Sequence, residues 1–207
     1  MKRREALKGL GMATGLLVAT PAALSVLQSC EEKKETWSAL FLKPEEKKLV
    51  SDLVDIILPS GATPGGLELN LPQFIDLMCK DTLSEEEQHL FHEGSKIFSV
   101  RLEELSGKMT EKTTRKEVEE LFLKYFKLNP KEEGKVKYLL YRNRDELDEK
   151  EKKDFDLYKF LFTVRGLSLF GYFTSEKVGT QVLNFDPIPG EYSPCIPVSE
   201  VGNAWTI

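Results

Sequence analysis

Apolar residues recur at helical spacing in a series of separate blocks, each bounded by polar or turn-forming residues. Leu49, Leu53, Ile56 and Ile57 repeat with Val50 and Val54 beside them, which predicts an amphipathic helix. Pro44 with Glu45 and Glu46 forms its first turn, where the helix dipole favours acidic side chains, and Pro59-Ser60-Gly61 stops it. Pro72 begins a second helix with Phe74, Ile75, Leu77 and Met78 on its apolar side. Ser84-Glu85-Glu86-Glu87 has the form of a capping box. The helix that follows it is predicted to run through Phe91, Phe98, Leu102 and Leu105 to Gly107. Thr113 or Thr114 caps another, carrying Val118, Leu121, Phe122, Tyr125 and Phe126 and ending near Asn129-Pro130. Gly134 to Arg144 reads as a further helix with Tyr138 and Tyr141 on one side. Asp145 to Asp154 is mostly charged and reads as a solvated turn or helix start.

The block from Phe155 to Phe173 differs from the rest. One apolar stripe holds Phe155, Tyr158, Phe162 and Leu169, and a second holds Phe160, Val164 and Leu167. A helix that is apolar on both sides belongs inside a fold, so the other helices are expected to pack around it. The predicted class is therefore all-α: a compact multi-helix domain around a buried aromatic helix. Gly171 allows close backbone approach or a break. Thr174 or Ser175 before Glu176 reads as the cap of a short final helix. Beyond Asp186 come Pro187, Pro189, Pro194 and Pro197, which predict an extended arm lying over its own core or over a partner, with Trp205 as an anchor.

The N-terminus changes the picture of where such a domain works. Lys2-Arg3-Arg4-Glu5-Ala6-Leu7-Lys8 precedes an uncharged run from Gly9 to Ser29, the form of a secretory signal. Arg3 and Arg4 followed by Leu7 and Lys8 resemble the twin-arginine type, although Ala6 stands where that pattern usually has Phe. Leu27-Gln28-Ser29-Cys30 resembles a bacterial lipobox, which makes Cys30 the expected lipidation site. These features divide the chain into a signal over 1–29, a lipid-anchored tether over 30–43 and a helical domain over 44–207. The expected location is the bacterial cell envelope, periplasmic and lipid-anchored. Residues 1–29 hold four basic side chains and one acidic, so the remainder carries −8 against −5 for all 207 residues. That balance argues against nucleic acid and against adsorption to anionic lipid through protein charge.

Candidate chemistry is sparse. His89 and His92 share a helix face near Glu85 and Glu93, and such groups can hold a metal, but the segment is strongly polar and reads as surface. Cys79 and Cys195 are two idle thiols or a disulfide that staples the tail to the core. Arg165 is the lone charge between Phe160 and Phe173 of the aromatic helix; it pairs with a carboxylate, lies along the helix edge, or grips a partner. No Ser-His-Asp set, dinucleotide fingerprint or haem-attachment motif is readable.

Several of these pieces also resemble a known family. Gly171-Tyr172-Phe173-Thr174-Ser175-Glu176, Phe185-Asp186-Pro187-Ile188-Pro189-Gly190-Glu191-Tyr192 and Pro194-Cys195 are similar, in order and spacing, to the C-terminal signature of the gluconate 2-dehydrogenase subunit 3 family. Ile57-Leu58-Pro59, Thr63-Pro64-Gly65 and Leu71-Pro72-Gln73-Phe74-Ile75-Asp76 resemble a second family motif, with Ala62 where related sequences often have Asp. The resemblance implies a non-catalytic small subunit of a membrane-associated sugar or sugar-acid dehydrogenase. It implies no cofactor in this chain: FAD belongs to a large catalytic subunit, and haem, where present, to a cytochrome c subunit. A role in export and stability of the flavoprotein follows from it, with Arg165, Tyr172, Phe173, Thr174, Glu176 and Tyr192 as the candidate partner interface. The competing expectation is a stand-alone envelope lipoprotein that binds a ligand or scaffolds another protein.

Overall fold

The computed structural model describes residues 37–186, 188, 190 and 195–205. Eight α-helices occur among them: α1 (Pro44–Ile57), α2 (Leu71–Thr82), α3 (Glu85–Ser106), α4 (Arg115–Phe126), α5 (Pro130–Tyr141), α6 (Glu149–Thr174), α7 (Glu176–Gln181) and α8 (Val198–Val201). Short 3-10 turns at Thr110–Lys112 and Arg144–Glu146 precede α4 and α6. The fold is all-α, as the sequence pattern predicts.

Local chemistry sets most helix starts. The Ser84 amide donates to Glu87 Oε2 at 2.9 Å, while the Glu87 amide returns a bond to Ser84 Oγ at 3.3 Å. Thr114, Asn129 and Asp148 start α4, α5 and α6 with the same reciprocal arrangement. Each satisfies backbone donors that the first helical turn leaves without an intrahelical acceptor. At the other end of α3, Gly107 takes φ 68°, a left-handed cap that glycine adopts without a Cβ clash. Ser175 caps α7, its Oγ accepting from the Val178 amide.

The described residues from Ala39 onward form one unit, and α6 runs through it. Its most extensive neighbour is α3. The two helices meet at Gly94, where a Cβ would stand 2.2 Å from the Asp156 carbonyl oxygen. Glycine is required there to bring the backbones together. Phe160 then sits fully buried with its ring 4.9 Å from Phe91 and 6.3 Å from Phe98. Leu157, Leu161 and Val164 complete this layer. Gly171 does the same for α2: a Cβ would meet the Phe74 ring at 2.7 Å, so this glycine is a close approach and not a break.

Two parts of the fold differ from expectation. The two apolar stripes of α6 are covered unevenly: Phe155, Tyr158, Phe160 and Val164 are buried, but Phe162 is exposed and Leu167 half-buried. Farther on, Phe170 and Phe173 are exposed and Leu169 is half-buried, because no helix lies over that side. The tail is also more than an extended arm. It contains α8 and comes back to pair Asn184 with Trp205. The Asn184 amide donates to the Ala204 carbonyl at 2.9 Å, and the Asn203 side-chain amide donates to the Val182 carbonyl at 2.8 Å. Prolines remove backbone donors in this stretch, so asparagine side chains supply part of the closure.

Candidate functional site

Arg3, Arg4, Cys30 and Tyr192 lie outside the described residues. The remaining candidates fall into a buried polar cluster, a charged cleft and an exposed aromatic face.

The buried cluster forms where α1, α2 and α3 meet. Asp76 on α2 is almost inaccessible, and its carboxylate accepts the amides of Leu40, Phe41 and Leu42 at 2.8, 3.0 and 2.7 Å. Those residues belong to the stretch read as the end of the tether. Three backbone N–H groups thus satisfy a carboxylate that burial removes from water. Glu46 on α1 accepts the Lys43 amide at 2.9 Å, the Ser95 hydroxyl at 2.6 Å and His92 Nδ1 at 2.8 Å. The His92 ring stacks on Phe41 with centroids 4.4 Å apart. His92 is therefore not the solvated histidine that its polar neighbourhood suggests; α3 turns it against α1. His89 remains exposed, and the two rings do not converge on one site. Among the described residues no group of three or more His, Cys, Asp or Glu side chains is placed to hold a metal ion.

This cluster is arranged as a lock rather than a reaction centre. The Ser95 hydroxyl donates to Glu46, and the His92 Nδ1 that would have to take its proton is occupied by the same carboxylate. No buried side-chain polar atom among the described residues lacks a partner. Cys79 lies at its edge, and burial pushes its thiol up to about 12, with the Asp76 and Glu46 charges adding to the effect. Such a thiol is inert as a nucleophile. The disulfide considered for Cys79 and Cys195 is absent: both are free, Cys79 sealed in the core and Cys195 exposed.

A cleft of about 480 Å³ opens between α3 and the start of α6. Several of its charges are paired. Arg144 grips both oxygens of Asp156 at 2.7 Å, and Lys152 meets Glu149 at 3.2 Å. Arg101 donates to Tyr125 at 2.7 Å and to Asp154 at 2.7 Å. The bonds to Tyr125 and Asp154 raise its pKa against an opposing desolvation, which is the largest single influence.

The third region is the outward side of α6. Phe162, Gly166, Leu169 and Phe173 follow one another at helical spacing, a stripe about 17 Å long at 1.5 Å per residue. Phe162 is 41 % exposed and Phe173 52 %. Phe170, 53 % exposed, flanks the stripe and leans on Phe74 of α2 at 6.1 Å. At the other end the Phe162 ring stands 5.6 Å from that of Phe126. Arg165 borders the stripe, exposed, and forms no ion pair among the described residues.

Of the candidate interface residues, Arg165, Phe173, Thr174 and Glu176 are exposed on or beside this face. Tyr172 is not available: it is 93 % buried by its 7 % exposure, turned inward one position from Phe173. Phe162 was missed because it belongs to a stripe that reads as core, and Phe170, which falls in neither stripe, was missed with it. Asp76 and Glu46 were missed as well. Nothing along the chain signals that they meet backbone amides and a histidine thirty or more residues away.

These observations define an all-α domain whose central helix leaves an aromatic face uncovered. The chain belongs to the family described as gluconate 2-dehydrogenase subunit 3, which matches residues 44–190. No match was found among curated proteins or among solved structures. No helix among the described residues is long and apolar enough to cross a membrane.

Proposed function

We propose that this protein is the small, non-catalytic subunit of a membrane-associated, FAD-dependent dehydrogenase of sugars or sugar acids. Family membership supports an accessory subunit of a dehydrogenase complex and implies association with a catalytic subunit. The observation that carries the reading in this chain is the uncovered stripe of Phe162, Leu169 and Phe173 on the helix that organises the fold. An apolar strip held on a rigid helix and rimmed by charge has the composition of a protein-binding surface. The buried polar cluster fits the same role, because it locks the domain's entry segment and leaves no free nucleophile.

In this reading Cys30 carries the lipid anchor, and Arg3 and Arg4 direct export in the folded state. The flavin resides in the catalytic partner, and haem in a cytochrome subunit where one is present. The chain supports export and stability of the flavoprotein from the periplasmic side of a membrane. Gentle detergent purification of the tagged, full-length protein from its own cell tests this. A co-purifying yellow protein with a flavin spectrum and dye-linked oxidation of a sugar or sugar acid is the expected result. A colourless protein that purifies alone favours a stand-alone lipoprotein and ends the proposal. Replacing Arg3 and Arg4 together by Lys is expected to hold both subunits inside the cell.

A further inference from the structure

The helix α5 sits on α6 without being sunk into it. It carries Val136, Tyr138, Leu139, Leu140 and Tyr141, yet none of its residues is buried. A hollow lies on each side of it, of about 260 Å³ and 280 Å³, and Leu128 and Val136 line both. The first is floored by the rings of Tyr125, Phe126 and Phe162, and Arg165 stands at its mouth. This hollow is therefore continuous with the exposed stripe of α6 through Phe162.

Size and charge together restrict what fits. A volume of 260 Å³ falls below the range of small-molecule sites, roughly 300–1,000 Å³, and suits one or two side chains. Glu133 and Lys137 at the rim face each other at 3.9 Å, which leaves Arg165 as the uncompensated charge. Covering an unpaired guanidinium with apolar surface is unfavourable, because the charge loses water and gains no acceptor. An occupant that closes the hollow must bring its own carboxylate. The domain as a whole is acidic, so a segment bearing a carboxylate is repelled elsewhere and is drawn to this point.

We infer that the hollow between α4, α5 and α6 receives an aromatic or aliphatic side chain from the catalytic flavoprotein, on a segment whose neighbouring Asp or Glu pairs with Arg165. This rests on the reading that a flavoprotein binds the chain, and it specifies where and by what chemistry.

The test uses the full-length tagged protein in its native cell, purified gently, with flavin absorbance and peptide mass identifying the partner. Arg165→Glu is expected to cut the recovered flavoprotein at least tenfold, while Arg165→Lys retains most of it. Val136→Arg, which fills the hollow, is expected to do the same as Arg165→Glu. Circular dichroism and the melting temperature of each variant check that the domain is folded. A benzophenone photo-crosslinker in place of Lys137 identifies the occupant. The expected product joins it to a flavoprotein peptide that contains an acidic residue. Undiminished flavoprotein recovery with both Arg165→Glu and Val136→Arg overturns the inference and leaves the subunit reading standing. So does a crosslink to residues 186–205 of the same chain or to a second copy. If the unaltered protein recovers no flavoprotein, the subunit reading fails and the inference falls with it.

Discussion

Helices α3 and α5 both lie against α6, and they do so in opposite ways. At α3 a glycine removes the last obstacle between backbones, three phenylalanine rings interlock, and Phe98, Leu102 and Phe160 lose all contact with water. At α5 no residue is buried, two tyrosines are 65 % and 89 % exposed, and hollows remain on both flanks. Both helices have good N-terminal caps, so local helix formation does not separate them. The difference lies in tertiary packing. One contact holds the domain together; the other leaves apolar surface in reserve beside an unpaired arginine.

That contrast is open to breaking. Phe160→Ala opens a cavity in the α3 contact and is expected to cost about 3–5 kcal/mol in denaturant unfolding. A loss below roughly 1 kcal/mol would mean that the two helices do not depend on this ring. Gly94→Val is expected to cost about 3 kcal/mol, because the new side chain has to push against the α6 backbone itself. Asp76→Asn keeps the shape but removes the charge that accepts three amides, and a loss of about 2 kcal/mol is expected, with faster amide exchange at Leu40, Phe41 and Leu42.

A pH titration sharpens the α3 side. Just beyond the end of α3, Lys108 donates to Glu117 at 2.7 Å, and the Thr114 amide and hydroxyl donate to the same carboxylate. These bonds, the lysine first, lower the Glu117 carboxyl to about 2. A depressed carboxyl supports the fold above the ordinary glutamate range and loses that support as pH falls toward about 2. Carbon-detected NMR should place its midpoint near 2, and Lys108→Ala should move it upward. At the small end of the scale, Tyr138→Ala and Tyr141→Ala in α5 are expected to change stability by no more than about 0.5 kcal/mol. A large loss at either would show that α5 is part of the core.

Much of the fold could be read along the chain. Ser84, Asn129 and Asp148 each stand three residues before a glutamate, and Thr114 likewise, so the helix starts were written in local side-chain chemistry. The helical period of α1 to α4 and the double stripe of α6 followed from composition at fixed spacing. The exposed site was only half legible. Arg165 and Phe173 stood out, but Phe162 looked like core, Phe170 fell in neither stripe, and Tyr172 looked available. Periodicity shows that a side of a helix is apolar; it does not show whether another helix covers it.

The sequence by itself determined most of the helices, the all-α class and the identity of the organising helix, because caps and apolar period act within a few residues; the start of α5 at Pro130 and the short α8 in the tail were not read from it. The tertiary structure alone decided which face of α6 stays open and which glycine is a contact. It also brought Asp76 under the amides of 40–42 and set His92 against Glu46. Those outcomes depend on groups far apart in the chain coming together in space, and burial is a property of the neighbours as much as of the residue.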